Sequence, residues 1–434
     1  MKVWILHYHL HPGGVTQVIQ SQVKALFQLQ YDIETTVVAG YAENIDWHKQ
    51  YDTEILINED FNYLNSNQNY TKNHLTSELN KMYSWFKGHI EKGDIIHFHN
   101  LTLGKNPLVT IVGYLLVKEG YHVINHCHDF AEDRPQNWKF LQKIISETLE
   151  FDLISVLYPP LPNYHIAVLN TFDQKRLEKY NIPDGRIHVF PNPVDIQTGY
   201  VGISKEDAHQ KICRQLSLDP SLPLITYPVR AIRRKNIGEL ILISILFKEN
   251  YHFLVTQPPK NPVEIEFYEQ WKSFCNEYEI NIHFEVGNKV DYKTLINASE
   301  YCITTSYREG FGMVFLEPWL LNTPVIGRNI PYVTKDFINA GMYFPLLYDQ
   351  LTIETGAGYK DFIQIDDDEQ RKFIISLLKN DKKRDRIIIF NAYLHKLTKK
   401  VTNDMIIENQ HIIQNNYSIE KFSERLYEVY KRIA

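Results

Sequence analysis

Two glutamates stand eight residues apart in the segment REGFGMVFLEPWLLNTPVIG, which covers residues 308–327. Glu309 precedes a glycine-containing turn, and Glu317 follows an apolar run that is typical of a helix start. Backbone N–H groups at a helix start are free to bind an anion, and a carboxylate accepts hydrogen bonds from vicinal hydroxyls. We therefore expect an anion cradle at residues 312–314, a sugar contact at Glu309 and a ribose contact at Glu317. The alternative is that both glutamates are helix-start charges favoured by the helix dipole.

A basic cluster follows another predicted strand, in the segment YPVRAIRRKN at 227–236. The cluster contains Arg230, Arg233, Arg234 and Lys235. Arginine binds phosphate through two parallel N–H groups and lysine binds it as a point charge, so such a cluster suits a diphosphate. A solvated charge run is the alternative. The position of the cluster before a helix, rather than on one, favours the diphosphate.

The segment HPGGV at 11–15 joins the first predicted strand to the first predicted helix. Gly13 and Gly14 allow a tight turn and a close approach of the backbone to a ligand, next to a helix start that can bind phosphate. The dinucleotide-binding pattern GxGxxG is absent. A plain tight turn without a ligand explains the two glycines equally well.

Short apolar runs alternate with helix-length segments along most of the chain, which predicts parallel sheets covered on both faces. The predicted strands are 2–9, 33–40, 94–100, 121–129, 165–170, 186–192, 224–229, 252–257, 280–286, 301–306 and 324–327. A polar stretch around 195–222 separates two such patterns. We therefore predict an α/β protein with two doubly wound domains that face a central cleft, where the carboxyl ends of the strands would hold the ligand.

Composition excludes several classes of protein. The 434 residues are 44% hydrophobic and 23% charged with a net charge of −6, which is typical of a globular protein without the basic field of a nucleic-acid binder. The four cysteines form no CxxC pair, which favours a reduced, cytoplasmic protein. No apolar run reaches the length of a membrane span. Basic clusters at 382–386 and 395–400 leave peripheral membrane association open.

Two histidine pairs lie in predicted strands, in the segments HFHN (97–100) and HCHDF (126–130). Alternate residues of a strand point to the same face, so each pair could contribute to a metal site. Acidic or cysteine ligands with metal-binding spacing do not accompany them, and we expect no metal. The acidic segment IDDDE at 365–369 precedes a helical pattern and is interpreted as a helix N-terminal charge run.

The pattern E-G-F-G-x-x-x-x-E, preceded by the strand YCITTS and followed by NTPVIG, resembles the donor-site signature of retaining GT-B glycosyltransferases, in particular glycosyltransferase family four (glycosyl transferases group 1). The Gly-Gly loop, HFHN, HCHDF, FPNPVD at 190–195 and an Arg/Lys pair five residues apart occur in the order of that family. The resemblance spans roughly residues 1–400. It implies a GT-B fold with domains at 1–200 and 201–402, and a C-terminal segment, 403–434, that returns to the N-terminal domain.

The resemblance also implies roles for individual residues. Arg230 and Lys235 would hold the donor diphosphate, Glu317 the ribose, and Glu309 the transferred sugar, while His128 would lie beside that sugar. The remaining predicted donor contacts are Gly13, Gly14, Gly310, Phe311, Gly312, Met313 and Val314. One departure concerns Pro318, which removes a helix N–H directly after Glu317 and affects how that side chain is aimed.

The sequence thus predicts a metal-independent, retaining hexosyltransferase that uses a UDP-, GDP- or ADP-hexose and needs no cofactor. Asp129 and Arg134 follow the fourth predicted strand and are predicted to bind a polar acceptor, with a small soluble molecule favoured over a lipid. A GT-B sugar phosphorylase, a nucleotide-sugar epimerase and an inactive sugar-nucleotide-binding homologue are the alternatives. The retention of both glutamates, Arg230, Lys235 and His128 argues against the inactive homologue.

Overall fold

Strands and helices alternate throughout the computed structural model, which describes residues 1–29, 31–43, 45–183, 185–196, 202–356, 358–398 and 401–434. The internal contacts divide the chain into two units: unit 1 comprises 1–195 with 417–434, and unit 2 comprises 196–416. The boundaries expected from the sequence lay at 200 and 402. Of the predicted C-terminal segment 403–434, residues 403–416 therefore belong to unit 2 and residues 417–434 to unit 1.

Unit 1 is built on a seven-stranded, entirely parallel sheet with the order β3-β2-β1-β4-β5-β6-β7. Its strands are β1 (Lys2–His7), β2 (Glu34–Ala39), β3 (Glu54–Ile57), β4 (Ile95–His99), β5 (His122–Cys127), β6 (Tyr164–Val168) and β7 (Ile187–Val189). All five residues of β4 are buried, as expected for a strand with helices on both faces.

The helices of unit 1 cover both faces of this sheet. They are α1 (Gly14–Gln28), α2 (Trp47–Gln50), α3 (Lys72–His89), α4 (Pro107–Lys118), α5 (Pro135–Leu141), α6 (Leu153–Leu157), α7 (Thr171–Leu177) and the C-terminal helix, here called αC (Ile419–Ile433), with a π-helical turn at Gln142–Thr148. Helix αC buries an apolar stripe that includes Phe422, Leu426 and Tyr430, and it packs beside α1. The amphipathic pattern of this segment therefore serves to complete the core of unit 1.

Unit 2 repeats the architecture with six parallel strands in the order β10-β9-β8-β11-β12-β13. Its strands are β8 (Leu224–Arg230), β9 (His252–Gln257), β10 (Ile282–His283), β11 (Tyr301–Thr304), β12 (Val325–Arg328) and β13 (Leu347–Tyr348), and β14 (Thr352–Thr355) pairs with β15 (Gly358–Asp361) as an antiparallel hairpin. Strand β13 and the hairpin were not predicted. Strand β10 is shorter than the predicted 280–286.

The helices of unit 2 are α8 (Lys205–Leu216), α9 (Ile237–Leu246), α10 (Pro262–Glu277), α11 (Tyr292–Ala298), α12 (Glu317–Leu320), α13 (Pro331–Asn339), α14 (Asp367–Leu378), α15 (Asp381–Phe390) and α16 (Asn403–Tyr417). Asp366 caps α14 by accepting a hydrogen bond from the Glu369 N–H, so the acidic segment at 365–369 is a helix start, as predicted. Among the helices of the described ranges, none is long and apolar enough to cross a membrane.

Both sheets show the same change of direction in strand order. In unit 1 the chain moves outward from β1 to β3 and then returns to add β4 on the other side of β1. In unit 2 the corresponding step adds β11 beside β8. Ligands of doubly wound folds bind at the carboxyl ends of the two strands that flank such a switch point. The predicted α/β class with two Rossmann-like domains is confirmed, and it directs attention to the loops after β1, β4, β8 and β11.

Candidate functional site

The switch point of unit 2 brings the basic cluster and the first glutamate together. Strands β8 and β11 are hydrogen-bonded neighbours. The loop after β8 carries Arg234 and Lys235, and the loop after β11 carries Glu309. The Lys235 ammonium donates to Glu309 Oε1, and Arg234 donates to Glu309 Oε2 at 2.7 Å. Residues that are 74 positions apart in the sequence therefore form one ion-paired cluster.

Burial makes this cluster electrostatically significant. Lys235 and Glu309 are only 9% and 8% exposed. Burial lowers the pKa of Lys235, against the opposing attraction of Glu309. Burial would raise the pKa of Glu309, but the charges of Lys235 and Arg234 outweigh it and hold that pKa below its ordinary value. Because two cations face one carboxylate, the cluster keeps a net positive charge.

Hydrogen bonds to the backbone fix the position of both loops. Thr305 Oγ1 donates to the carbonyls of Lys235 and Asn236, each at 2.9 Å, and the Tyr227 hydroxyl also donates to the Lys235 carbonyl. The Tyr332 hydroxyl, from α13, accepts from the Glu309 N–H at 3.0 Å and donates to its carbonyl at 3.1 Å. The ion-paired side chains therefore project from a rigid frame.

The other two arginines of the basic cluster have different surroundings. Arg233 donates to Asp367 at 2.7 Å and stacks on the Phe267 ring at 4.4 Å, so its guanidinium is occupied. Arg230 ends β8 and is partly exposed. Within the part of the chain that the structure describes, no hydrogen bond or ion pair holds its guanidinium. Arg230 is therefore available to an external anion, and Arg233 is not.

The predicted anion cradle begins with a glycine in the left-handed region. Gly312 has φ 89°, and a Cβ there would lie 2.7 Å from Val333 Cγ1. It precedes a 3₁₀ turn over Met313–Phe315, and Phe311 packs edge to face on Phe337 at 5.4 Å. The segment from Gly310 to Val314 thus follows β11 at the switch point, on the same loop as Glu309. Its predicted role as a donor contact stays a prediction.

The sequence had suggested that Glu317 lies within a helix that starts before it. In the structure no continuous helix runs through this residue. The 3₁₀ turn ends at Phe315, and Glu317 is the first residue of α12, with Pro318 as the second. Proline is tolerated in the first turn of a helix, where its missing N–H has no intrahelical partner, but not in the interior. Pro318 therefore starts a new helix and does not kink an existing one. Asn322 has φ 57°, as expected for a left-handed residue at a helix end.

The Glu317 carboxylate differs electrostatically from that of Glu309. It is partly exposed and makes no hydrogen bond or ion pair with any residue that the structure describes. Desolvation by its surroundings raises the pKa of Glu317 to about 7. Such a group favours a ligand that donates hydrogen bonds, since donors would stabilise the carboxylate form.

In unit 1, Gly13 and Gly14 end the loop after β1 and begin α1 at the switch point. Gly13 is extended, with φ −177°. A Cβ on Gly14 would meet no atom within 4 Å, and one on Gly13 would approach only the His11 carbonyl, at 3.8 Å. The fold itself therefore does not require glycine at either position, and the space beside both backbones is open.

His128 follows β5 and is held from two sides. Asn100, in the loop after β4, accepts hydrogen bonds from the N–H groups of His128 at 2.7 Å and Asp129 at 3.1 Å. His128 Nε2 is hydrogen-bonded to His99 Nδ1 at 2.8 Å. Desolvation lowers the pKa of His128 to about 3, so its ring is neutral at physiological pH. His128 is partly exposed, whereas His126 is completely buried.

The two predicted acceptor ligands pair with one another. Arg134 and Asp129 form a salt bridge at 2.9 Å. Lys105 lies close by, with its ammonium 5.4 Å from the centre of the Tyr63 ring. Burial, together with the charge of Arg134, lowers the pKa of Lys105. This end of the sheet therefore carries two neighbouring cations and one carboxylate.

Three histidines are close enough to hold a metal ion. His97, His99 and His126 each offer one nitrogen, these nitrogens lie within 4.8 Å of one another, and all three residues are buried. In this structure His97 and His99 use both ring nitrogens in hydrogen bonds, since His97 bonds to His126 and Tyr430, and His99 bonds to His128 and Gln22. His126 uses Nδ1, and its Nε2 has no partner among the described residues. The expectation that the protein needs no metal stays a prediction.

Sequence reasoning missed several residues that shape these sites, namely Gln22, Asn100, Lys105, Arg234 as a partner of Glu309, Tyr332 and Tyr430. Gln22 left a signal in the sequence, because it interrupts the apolar stripe of α1 with a polar side chain. Tyr332 and Tyr430 left no such signal, because tyrosine is common in amphipathic helices. Their roles depend on contacts between distant segments.

Comparison with known proteins agrees with this architecture. The family model described as Glycosyl transferases group 1 matches residues 210–392, which include both loops of the unit 2 site. Mannosylglucosyl-3-phosphoglycerate synthase from Petrotoga mobilis is 28% identical over 353 residues, which cover 78% of this chain and 66%, slightly under two thirds, of that relative. Mannosylglucosylglycerate synthase from the same organism is 22% identical over 368 residues, covering 77% of this chain and 80% of that protein.

Solved structures show the same fold. A glycosyltransferase from Rickettsia africae aligns with a TM-score of 0.63 and 15% identity, covering 100% of this chain and 98% of that one. The HepE protein of Anabaena, crystallised with UDP-glucose, aligns with a TM-score of 0.62 and 13% identity over 100% of both chains. At such low identity these similarities establish the fold, and they agree with two Rossmann-like domains.

Proposed function

We propose that the protein transfers a hexosyl group from a nucleoside diphosphate sugar to a hydroxyl of a polar acceptor, since residues 210–392 match the family model described as Glycosyl transferases group 1. The proposal includes retention of the anomeric configuration and independence of metal ions. The observation that carries it is the cationic cluster at the switch point of unit 2. There Lys235 and Arg234 flank Glu309. Among the residues that the structure describes, neither the Arg230 guanidinium nor the Glu317 carboxylate has a hydrogen-bond or ion-pair partner.

These groups fit the parts of a nucleotide sugar one by one. Arg230 and the cluster would bind the diphosphate through charge and N–H donation. Glu317 would accept hydrogen bonds from the ribose hydroxyls. Glu309 stays ionised between Lys235 and Arg234 and would contact the transferred sugar. The complex of HepE with UDP-glucose supports a nucleotide-sugar donor, and GDP- and ADP-hexoses are the other candidates.

The reaction breaks the bond between the sugar C1 and the diphosphate oxygen and forms a bond between C1 and the acceptor oxygen on the same face. The acceptor proton passes to an oxygen of the departing diphosphate. Negative charge therefore grows on the leaving group during the step. Cations fixed in place before the reaction stabilise that charge without reorganisation, which is the main catalytic contribution that we assign to Arg230 and Lys235.

The acceptor proposal rests on unit 1. Arg134 is already paired with Asp129, and Lys105 lies beside this pair without an ion pair of its own among the described residues. The resulting positive charge suits an acceptor that carries a carboxylate or a phosphate. The names of the two Petrotoga relatives describe synthases of glycosylated glycerate and phosphoglycerate, which supports a small anionic acceptor over a lipid.

The four cysteines are unpaired and buried. This supports the proposed cytoplasmic location, where thiols stay reduced.

Arg230 and Arg233 make a matched pair for testing the donor site. Arg230→Ala removes a guanidinium that has no partner in the described structure, so it should leave the melting temperature unchanged. It should weaken nucleoside diphosphate binding about ten- to a hundredfold, as expected for a lost charged hydrogen bond. Arg233→Ala breaks the contacts with Asp367 and Phe267 and should leave that affinity unchanged. Calorimetric titration of both variants decides between the roles, and equal affinity losses would contradict the assignment.

The reaction itself is tested with a panel of nucleotide sugars and of glycerate, phosphoglycerate and neutral sugar acceptors. We expect transfer to an anionic acceptor, an α-linked product from an α-linked donor by anomeric NMR couplings, and full activity in excess EDTA. A β-linked product would exclude retention. Loss of activity in EDTA that manganese restores would exclude metal independence.

A further inference from the structure

Three buried histidines of β4 and β5, together with His128 directly after β5, form a hydrogen-bond network with one residue of α1 and one of αC. The histidine network comprises His97, His99, His126 and His128 with Gln22 of α1 and Tyr430 of αC. The rings of His99 and His128 stack at 5.1 Å between centroids, and those of His126 and His128 stack at 4.4 Å. Of these six residues only His128 is partly exposed, so the network ends at the histidine that the sequence predicts to contact a sugar.

Burial keeps all four rings neutral. It lowers the pKa of His97 and His128 to about 3, and it places those of His99 and His126 well below the ordinary value. A neutral imidazole carries one N–H donor and one bare nitrogen that accepts. Each hydrogen bond in the network therefore determines the role of the nitrogen on the other side of the same ring.

The branch that leads to His128 can be followed atom by atom. The amide oxygen of Gln22 lies 2.7 Å from His99 Nε2 and can only accept, so His99 Nε2 carries the hydrogen. His99 Nδ1 is then bare and accepts. His128 Nε2, 2.8 Å away, must donate to it and carries the hydrogen of its own ring. The remaining nitrogen, His128 Nδ1, is left as a hydrogen-bond acceptor.

The amide nitrogen of Gln22 faces the second branch. It lies 2.7 Å from the Tyr430 hydroxyl and 3.2 Å from His97 Nδ1, and His97 Nε2 lies 3.2 Å from His126 Nδ1. With its nitrogen engaged on this side, the amide presents its oxygen to His99. If the amide were rotated by 180°, its N–H would face His99 Nε2. The hydrogen would then lie on Nδ1 of both His99 and His128.

We propose that Gln22 and His99 are positioning residues that hold His128 in the tautomer with hydrogen on Nε2, so that Nδ1 accepts a hydrogen bond from a ligand hydroxyl at the carboxyl end of the unit 1 sheet. The proposal rests on the transferase function proposed above. It explains why a glutamine is buried in the apolar face of α1 directly behind two histidine-bearing strands. A ring held in the other tautomer would present a donor to the same hydroxyl and would bind it differently.

The tautomer is measurable in the free protein by nitrogen-15 NMR, since the two ring nitrogens of a neutral histidine have distinct shifts. Labelling all histidines and assigning His128 by its loss in His128→Gln should show hydrogen on Nε2. In Gln22→Leu the acceptor for His99 is gone, and we expect a mixture of tautomers at His128. Tyr430→Phe is the matched control, because it breaks a buried bond to Gln22 while the amide nitrogen keeps His97 Nδ1 as an acceptor and the amide oxygen keeps its contact with His99.

Kinetics give a second readout. Gln22→Leu should lower kcat about tenfold through a misdirected hydrogen bond, with nucleoside diphosphate affinity unchanged. Tyr430→Phe should lose stability without this loss of kcat. Hydrogen on Nδ1 of His128 in the unmodified protein would overturn the proposal even if Gln22→Leu does not fold, and so would equal kinetic losses in Gln22→Leu and Tyr430→Phe. Binding of zinc that removes the His99 N–H signal would replace the proposal with a metal site.

The tautomer measurement needs no substrate. Failure of glycosyl transfer would therefore count against the proposed function, whereas a wrong tautomer at His128 would count against the positioning role alone.

Discussion

Two carboxylates of the same segment have opposite surroundings. Glu309 is buried against Lys235 and Arg234, which keep it ionised. Glu317, eight residues later, makes no such contact within the described chain, and desolvation raises its pKa. At the residue scale, this contrast separates a carboxylate that neighbouring cations keep ionised from one that has no charged partner within the described chain.

The pKa of Glu317 predicts how nucleotide binding depends on pH. In the free protein this carboxyl has a pKa of about 7, so it is increasingly protonated as the pH falls below that value. Ribose hydroxyls that donate to the carboxylate would lower its pKa in the complex. Binding should therefore be strongest above pH 7 and weaken by up to about tenfold per pH unit below it.

Calorimetry of nucleoside diphosphate binding between pH 5.5 and 8.5, in buffers of different ionisation enthalpy, should show proton release near neutral pH. Glu317→Gln should remove this pH dependence and weaken binding at pH 8. An affinity that is constant over the whole range in the unmodified protein would contradict a ribose contact at Glu317.

Removing Glu309 should affect stability as well as catalysis. Glu309→Ala leaves Lys235 buried without its partner, a loss worth about 3–5 kcal/mol of unfolding free energy. A bound diphosphate would replace the missing negative charge, so nucleotide should raise the melting temperature of this variant more than that of the unmodified protein. The lost sugar contact should also lower kcat.

Asp367→Ala is a suitable control for Glu309→Ala, because it breaks an exposed ion pair with Arg233 in the same unit. We expect it to cost less than about 1 kcal/mol and to show no extra stabilisation by nucleotide. If Glu309→Ala and Asp367→Ala respond alike in thermal denaturation with and without UDP, the cluster does not bind a diphosphate.

At the scale of elements, glycines occur at two helix or turn starts for different reasons. Gly312 has φ 89° and no room for a Cβ, so the fold requires it. Gly14 begins α1 with open space beside it, so the fold does not. Because the fold does not require glycine at position 14, its presence there is consistent with a backbone that a ligand approaches closely.

Alanine substitution at both glycines should therefore separate folding from function. Gly14→Ala should keep or slightly raise the melting temperature, since alanine is the better helix former by up to about 1 kcal/mol. Its activity should fall, because the added methyl occupies the proposed ligand space. Gly312→Ala should lower the melting temperature as well. Full activity of a stable Gly14→Ala would show that the loop makes no close ligand contact.

At the scale of the whole molecule, the C-terminal helix αC is part of unit 1 although more than two hundred residues separate it from the rest of that unit. Its apolar side chains share one core with α1 and the sheet. Leu426 is completely buried there. The folding of unit 1 therefore depends on the end of the chain.

Leu426→Ala should destabilise the protein by about 2–5 kcal/mol, as expected for a buried leucine replaced by alanine. Glu428→Ala, at an exposed position of the same helix, should change stability by less than about 0.5 kcal/mol. Urea denaturation of both variants tests this. Equal, small effects would show that αC is not part of the cooperative core.

The sequence alone determined the alternation of strands and helices, the two-domain α/β class and the segments that carry chemistry. These features are local: apolar runs, glycine turns and charge clusters are readable without knowing what they contact. It did not reveal the four-residue strand β3, which has two exposed and two partly buried residues. It also did not reveal the break before Glu317, which begins the new helix α12 with Pro318 as its second residue.

Only the tertiary structure decided which charged groups are free and which are occupied. Arg230 and Arg233 look equivalent in the sequence, but Asp367 and Phe267 engage one of them. Glu309 acquires two cationic partners from a loop that is some seventy residues distant, and His128 acquires its hydrogen-bond direction from Gln22 through His99. The physical reason is that pKa values and tautomers depend on burial and on neighbours in space, and the chain brings those neighbours together only when parallel strands from distant segments pair in one sheet.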